Sequence, residues 1–259
     1  ALVPILLTKR KAPKFKKLGS LSIQSLYKTS PLAAVSMFCN GFIHSAIFTL
    51  AAVYAATMNF TIFEISLLIF LISFAGGIFQ WPIGFFSDKS DRRMIIIFCT
   101  FAAAIFCILA IYASGTSLQN MYLATSVGVD KIMFFIYATL YAGMALPLFT
   151  LTLAYINDYI PREKFVAAGA GLQIIFGIGA MMGPLFCTLL MTKYGTNGFF
   201  IHLFIFHVII GLFGMFRITK RPYKDNPEST FTPLPRNITP LGIELDPTTG
   251  ADISSEEKK

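Results

Sequence analysis

The feature that most constrains the fold is a series of six long stretches that carry almost no charge. Each is about 20 residues long or longer, and about 20 apolar residues in an α-helix span roughly 30 Å of hydrocarbon. Helices are favoured in lipid because every backbone N–H and C=O group can pair within the segment. The sequence therefore predicts an all-α integral membrane protein with a six-transmembrane-helix bundle. The predicted spans are 31–56, 62–86, 94–113, 132–156, 165–192 and 199–216.

The composition excludes a water-soluble domain. Of the 259 residues, 55% are hydrophobic and 13% are charged, whereas soluble domains carry about 25% charged residues. The mean hydropathy is +0.68. The chain therefore has too little polar surface to enclose a core in water.

The basic residues are concentrated on one side of the predicted bundle. Alternate segments between the spans hold sixteen Lys and Arg residues on one side and two on the other. Cytoplasmic loops carry this excess in membrane proteins. The sequence therefore predicts a multi-pass protein of the bacterial inner membrane with both ends of this chain in the cytoplasm. The basic segments are 8–30, 88–93, 157–164 and 217–224, and the others are 57–61, 114–131 and 193–198.

The regions outside the spans differ in composition. Residues 1–7 are apolar but too short to cross a bilayer, and we interpret them as the remnant of a preceding transmembrane helix. Residues 8–30 form a predicted basic cytoplasmic loop on an anionic leaflet, and 31–224 form the bundle. Residues 225–259 hold five prolines, seven acidic and three basic residues, which predicts a disordered cytoplasmic tail. Because the positive charge flanks the spans, no nucleic-acid partner is expected.

The four cysteines lie inside apolar stretches and have no paired or metal-ligand spacing. We interpret them as buried small hydrophobic residues, and we predict no metal and no cofactor. No nucleophile–base pair or phosphate-binding loop occurs in the sequence, so an enzyme is not expected. The cysteines are Cys39, Cys99, Cys107 and Cys187.

The string Gly84-Phe85-Phe86-Ser87-Asp88-Lys89-Ser90-Asp91-Arg92-Arg93 carries the strongest functional signal. Asp88 can complement the positive end of a neighbouring helix, and Arg92 and Arg93 can pair with carboxylates or phosphates. The string resembles the loop signature of the major facilitator superfamily, G-x-x-x-D-[RK]-x-G-R-[RK]. The alternative is an ordinary basic loop with incidental acidic residues. The matching residues, and hence the predicted gating motif, are Gly84, Asp88, Lys89, Arg92 and Arg93.

One position departs from that signature. Asp91 stands where the family usually has Gly, which argues against a left-handed turn at this point. The departure fits the second, more degenerate copy of the signature, which lies between helices 8 and 9 in that family.

The resemblance implies that the chain is the C-terminal half of a twelve-helix transporter, with helices 7–12 arranged as two inverted three-helix repeats. The implied partners are a small-molecule substrate, protons as one candidate coupling ion, the lipid bilayer and the missing N-terminal half. Three strings also look like the YcaD-type bacterial permeases: Tyr27-Lys28-Thr29-Ser30-Pro31-Leu32, Gly177-Ile178-Gly179-Ala180-Met181-Met182-Gly183-Pro184, and Thr239-Pro240-Leu241-Gly242-Ile243-Glu244-Leu245-Asp246-Pro247.

The fifth predicted span is rich in glycine. Gly179 and Gly183 form a G-x-x-x-G pair, which lets two helix backbones approach closely, and Pro184 weakens the helix that follows. By resemblance this is helix 11, whose flexing accompanies alternating access. Plain helix packing is the alternative interpretation.

Two polar stripes are the candidate walls of a substrate cavity. Ser36, Asn40 and His44 recur every four residues and therefore share one face of the first span. A polar stripe in hydrocarbon is disfavoured unless it faces water or protein, so interhelical hydrogen bonding is the alternative. His44 is a candidate proton relay or a satisfied core residue. The candidate residues on the fourth span are Tyr137, Tyr141, Thr152 and Tyr155.

Asn157 and Asp158 end the fourth predicted span, where they are candidates for a cytoplasmic gate with Arg92 or Arg162. The leading hypothesis is transport of a small solute by alternating access. The alternatives are a non-transporting six-span module or a homodimeric scaffold that binds partners through its basic loop and tail, and, ranked lower, a channel.

Overall fold

The computed structural model describes residues 22–114 and 131–220, and this part is helical without a β-strand. The predicted remnant 1–7, most of the basic loop 8–30, the loop 115–130 and the tail 225–259 lie outside the described residues. Short 3-10 turns at Arg162–Lys164 and Gly195–Asn197 precede the last two helices. The helices are α1 (Ile23–Thr29), α2 (Pro31–Thr57), α3 (Ile62–Lys89), α4 (Arg92–Ala113), α5 (Lys131–Ala145), α6 (Leu148–Asn157), α7 (Phe165–Tyr194) and α8 (Gly198–Lys220).

Side-chain caps begin three of the long helices. The Ser30 hydroxyl accepts a hydrogen bond from the Ala33 amide at 3.4 Å at the start of α2. Thr61 and Glu64 form a capping box at the start of α3, in which the Thr61 amide donates to the Glu64 carboxylate at 2.8 Å. Such caps satisfy N–H groups that have no partner within the helix, so these helices begin where a polar side chain is available.

Five helical stretches in the described residues are long and apolar enough to cross a membrane. The last of them contains both α7 and α8, which are separated by the Gly195–Asn197 turn, where Gly195 has a φ of 64°. The sequence predicts six spans where the structure has five such stretches, and the fifth stretch contains both the fifth and the sixth predicted spans. The five are Pro31–Thr57, Ile62–Lys89, Arg92–Ala113, Lys131–Asn157 and Phe165–Lys220.

The fourth predicted span is two helices rather than one. α5 ends at Ala145 and α6 begins at Leu148, with Pro147 at the junction. Proline has no N–H group to donate and its ring collides with the preceding turn. The Thr150 hydroxyl donates to the Pro147 carbonyl at 2.9 Å. The break therefore coincides with Pro147, although α7 continues through Pro184.

Glycines set the closest helix contact in the bundle. α2 packs most extensively against α7, and a Cβ atom added at Gly41 or Gly179 would meet backbone atoms of the opposite helix. A Cβ at Gly183 would meet the Phe42 backbone and the Ser45 side chain. Because the two backbones touch, this contact fixes both the distance and the rotation of the two helices.

The other helices pack around this pair. α3 packs against α5, α4 packs against α8 and α5, and α8 also contacts α2. At the start of α3, Lys131 of α5 donates to the Glu64 carboxylate at 2.7 Å. α3 is the least buried of the five stretches.

The glycine contact generates a stability prediction. We expect Gly179→Leu to lower the thermal stability of the solubilised full-length protein, because overpacking costs about 1–3 kcal/mol or more where backbone must move. Gly177→Leu is the matched control, since a Cβ at Gly177 meets no atom within 4 Å. The measurement is the melting temperature by fluorescence-detected size-exclusion chromatography. Equal melting temperatures for the two variants would contradict the contact.

Candidate gating site

Arg92 joins the start of α4 to the end of α6. Its guanidinium donates to the Asp88 carboxylate at 2.8 Å, and its Nε atom lies 3.3 Å from Asp158. The Arg92 and Asp158 side chains are 7% and 9% exposed, whereas that of Asp88 is 30% exposed. One buried cation therefore holds two carboxylates from different parts of the chain. The structure thus brings together Asp88, Arg92 and Asp158 of the predicted site.

Arg93 makes a separate ion pair within the loop. Its Nη2 atom lies 2.6 Å from the Asp91 carboxylate and its Nε atom lies 3.0 Å from both carboxylate oxygens. The Arg93 amide also donates to Asp91 at 2.9 Å, which makes Asp91 the N-cap of α4. Arg93 therefore pairs with Asp91 in the loop, whereas Arg92 pairs with Asp158 at the end of α6.

The backbone at Asp91 is extended, with a φ of −61° and a ψ of 112°. This conformation is ordinary for any residue, so the loop does not require glycine here. The cap of α4 is Asp91, whereas Asp88 lies in the last turn of α3. Sequence reasoning assigned the helix-end role to Asp88 and missed that of Asp91, although an Asp immediately before a helix is a known cap signal.

Three further predicted residues lie on α3 and α6, the helices that the Arg92 ion pairs connect to α4. Gly84 is buried on α3, and Lys89 is exposed with its ammonium group 3.9 Å from the centre of the Phe85 ring. Asn157 ends α6 beside Asp158. The arrangement can lock the ends of α3, α4 and α6 together and release them if the Arg92 pairs break.

The first predicted polar stripe is buried inside the bundle. Ser36, Asn40 and His44 are at most 3% exposed. The His44 ring lies 5.7 Å from Phe176 of α7 and 6.2 Å from Phe149 of α6, measured between ring centres. The side-chain polar atoms of Ser36 and Asn40 have no hydrogen-bond partner among the described residues. The stripe therefore faces neighbouring helices of the same bundle.

The predicted residues of the fourth span do not share one environment. The Tyr141 hydroxyl hydrogen-bonds His207 at 3.2 Å, and the Thr152 hydroxyl donates to the Leu148 carbonyl at 2.7 Å. The Tyr155 ring packs on Tyr159 at 5.1 Å, and Tyr137 is half-buried. The structure does not bring these side chains and the α2 stripe together on one exposed wall.

Two histidines of α8 make contacts inside the bundle, and the sequence did not predict the partners of these contacts. His202 and His207 are fully buried. His202 Nε2 lies 3.1 Å from the Phe42 carbonyl, and His207 bonds Tyr141. Their partners are more than 60 residues away in the chain, so local spacing carries no signal for them.

The predicted flexing residues lie at the contact between α2 and α7. Gly179 and Gly183 face the α2 backbone. α7 continues as one helix through Pro184, whose carbonyl accepts a hydrogen bond from the Thr188 hydroxyl at 2.8 Å. No group of three or more potential metal ligands occurs among the residues that the structure describes.

The sequence is similar to a known protein family. The family model described as Major Facilitator Superfamily matches residues 7–248. Two similar proteins are the "Uncharacterized MFS-type transporter YfkF" of Bacillus subtilis, 26% identical over 155 residues, and the "Uncharacterized MFS-type transporter YcaD" of Escherichia fergusonii, 23% identical over 202 residues. The YcaD protein of Salmonella arizonae is 21% identical over 202 residues.

These similarities cover only part of each relative. The matches involve 59% of this chain and 35% of YfkF, and 77% of this chain and 48% of either YcaD protein. The chain therefore spans about half the length, or less, of the curated relatives it matches.

The buried ion pair generates a second prediction. We expect Arg92→Gln to destabilise the full-length protein by about 3–5 kcal/mol, because removing one partner leaves a buried charge without its counter-ion. Lys89→Gln is the matched control, since Lys89 is exposed and contacts a ring. The measurement is thermal or urea-induced unfolding in detergent. A double variant Arg92→Gln with Asp158→Asn should lose less than the two single effects combined, and full additivity would argue against a direct pair.

Proposed function

The chain belongs to the major facilitator superfamily, and from that premise we propose that it is part of a secondary active transporter for a small solute that works by alternating access. The observation that carries this proposal is the buried Arg92 that pairs with Asp88 and Asp158. A buried ion pair is poor evidence for stability alone, but it can hold helix ends in one of two discrete arrangements. That is the property a gate requires.

We propose that the chain corresponds to the C-terminal half, with α7 and α8 counted as separate passes and α5 and α6 as one. Packing supports two inverted three-helix repeats, α2–α4 and α5–α8. Exchanging the two repeats replaces α2 by α5 and α6, α3 by α7, and α4 by α8. The contact of α2 with α7 then becomes the contact of α5 with α3. The contact of α4 with α5 becomes the contact of α8 with α2, and all four contacts occur in the bundle. The match covers about half the length of the YcaD relatives, which is the share expected if this chain is one half of a transporter.

The proposed orientation of the protein in the membrane rests on the distribution of basic residues along the chain. The excess of basic residues in alternate segments supports a cytoplasmic location for Arg92 and for both ends of this chain. We further propose that the protein resides in a bacterial inner membrane and that an N-terminal six-helix half completes the transport path. This chain alone is expected to supply one wall of the transport path and one cytoplasmic gate.

The cavity and coupling assignments stay predictions. In the described bundle, Asn40 and His44 are buried between α2, α6 and α7. Contact with a solute or a proton would therefore require α2 and α6 to separate. The Pro147 break gives α6 a point at which it can bend away from α5.

The gate generates the test of transport. We expect Asp88→Asn in the full-length protein to lower the uptake or efflux rate severalfold while membrane insertion stays normal, because it removes one carboxylate from Arg92. The measurement is transport into proteoliposomes, with insertion checked by protease protection. Lys193→Gln is the matched charge control, because Lys193 is exposed and contacts only the Tyr194 ring among the described residues. Transport rates equal to the wild type in Asp88→Asn would reject the gate.

A further inference from the structure

The two buried histidines of α8 contact two different helices of the bundle. His202 Nε2 lies 3.1 Å from the Phe42 carbonyl of α2, and His207 Nε2 lies 3.2 Å from the Tyr141 hydroxyl of α5. With 3.6 residues per turn, their spacing places the two side chains about 140° apart around α8. α8 therefore makes one imidazole hydrogen bond to each of two helices, and these are the first helices of the two proposed repeats.

The contact on α2 lies at the turn where α7 also comes close. A Cβ atom added at Gly183 of α7 would meet the Phe42 backbone. Phe42 stands between Asn40 and His44 in the chain, and these two residues belong to the buried polar stripe. The His202 bond therefore acts on the turn of α2 that carries this stripe.

Aromatic rings surround the His202 imidazole. Its centre lies 4.9 Å from that of Phe206 and 5.9 Å from that of Phe186, and Phe42 stacks on Phe206 at 4.3 Å. Because a carbonyl oxygen only accepts hydrogen bonds, His202 Nε2 carries the proton and donates it. His202 Nδ1 has no hydrogen-bond partner in the part of the chain that the structure describes. One donated bond therefore attaches this ring to α2.

The contact on α5 lies just before the break in the fourth span. Tyr141 precedes the end of α5 at Ala145, and Pro147 follows. The Tyr141 and His207 rings are 5.6 Å apart, measured between their centres. This bond therefore fixes the rotation of α5 in the last turn before α6.

The helix that corresponds to α8 in the first proposed repeat is packed differently. The buried Thr100 of α4 donates to the Ile97 carbonyl of its own helix at 2.8 Å. A Cβ atom added at Gly211 of α8 would meet the Phe101 ring of α4, which is an apolar contact. Imidazole bonds to the first helix of each repeat are therefore a feature of α8 that the repeat symmetry does not require.

We propose that His202 and His207 are positioning residues for transport, which keep α2 and α5 in a fixed rotation against α8 when the bundle changes conformation. This inference rests on the proposed transport function. Lipid chains are as apolar as leucine side chains, so apolar packing gives little preference for one rotation of a helix, whereas an interhelical hydrogen bond is lost when a helix rotates. Loss of the His202 bond is therefore expected to release the polar stripe of α2.

The first experiment tests the bond to α2. Ser36→Cys places a buried probe on the stripe of the full-length protein, in which cysteines outside this chain are replaced, and its reaction with N-ethylmaleimide is followed in nanodiscs. We expect His202→Leu to raise the labelling rate about threefold, which is the average effect of one interhelical hydrogen bond in a membrane protein. His202→Gln should restore the rate, because its amide nitrogen can donate from the position of Nε2.

The control separates positioning from stability. Leu203 is fully buried beside His202 and carries no polar side-chain atom, so its truncation lowers stability without removing a hydrogen bond. We would use the Leu203 variant, Ala or Val, whose melting temperature matches that of His202→Leu, and we expect it to leave labelling at position 36 unchanged. The four cysteines of this chain are buried, and each variant without Ser36→Cys gives its background. An equal rise in the matched Leu203 variant would overturn the positioning role.

The second experiment tests the bond to α5. Tyr141→Phe removes only the hydroxyl group, so this variant is expected to fold, and Ala138→Cys is a buried probe on the same helix. We expect Tyr141→Phe to raise labelling at position 138 about threefold and to leave position 36 unchanged, whereas His202→Leu should do the reverse. Combining Tyr141→Phe with His207→Leu should add nothing to His207→Leu alone, because both remove one bond. Equal effects of either variant at the two positions would overturn the proposal.

The labelling rates do not require a known solute, and the transport assay with Asp88→Asn does not involve either histidine. Unchanged transport in Asp88→Asn together with helix-specific labelling would reject the gate alone. Reduced transport in Asp88→Asn together with unchanged labelling in His202→Leu and Tyr141→Phe would reject the positioning role alone. Failure of this inference and failure of the proposed function are therefore distinguishable.

Discussion

The absence of water in the hydrocarbon layer is the constraint on which the rest of this structure depends. A backbone in lipid must satisfy its hydrogen bonds within its own segment, so the long apolar stretches are helices. Side-chain caps such as Ser30 and Thr61 stand at the helix ends. Pro147 is the exception, because its missing N–H group interrupts a span and divides it into α5 and α6.

Once the helices have formed, the close contacts that glycine permits determine how each helix is rotated about its own axis. Gly41 and Gly179 allow the backbones of α2 and α7 to touch, which leaves little freedom in the rotation of α2. That rotation turns Asn40 and His44 towards the interior of the bundle. It follows that the glycine contacts, rather than the polar residues, determine which side of α2 faces the interior of the bundle.

The sequence predicted helices well and helix neighbours poorly, for a physical reason. Apolar length and caps are local properties, so most boundaries of α2, α3 and α7 could be read from spacing. A common face for Ser36, Asn40 and His44 is also local, but the neighbour that this face meets depends on contacts elsewhere in the chain. The bond between Tyr141 and His207 joins positions 66 residues apart, and no periodicity reports it. The pairing of Arg92 with Asp158 was within reach because charges at the same membrane side have few partners to choose from.

The proposed repeats contain two equivalent helix junctions, one at each end of the bundle, and the side chains at the two junctions differ. If the proposed repeats are exchanged, the start of α4 against the end of α6 corresponds to the start of α8 against the end of α2. The first junction is the ion pair of Arg92 and Asp158. At the second junction, the Tyr54 ring lies 5.0 Å from Phe199 and 5.3 Å from Phe200, measured between ring centres.

This difference bears on which end can act as a switch. An ion pair in a low-dielectric setting is held strongly when its geometry is complete and is disfavoured when one partner moves away. An aromatic cluster loses its contacts gradually, because dispersion and burial add up over many atoms. In the proposed gate, the ionic junction is therefore the one suited to two distinct arrangements, and the aromatic junction is suited to act as an anchor. Conformational change in this bundle is accordingly expected to concentrate at the end that carries Arg92.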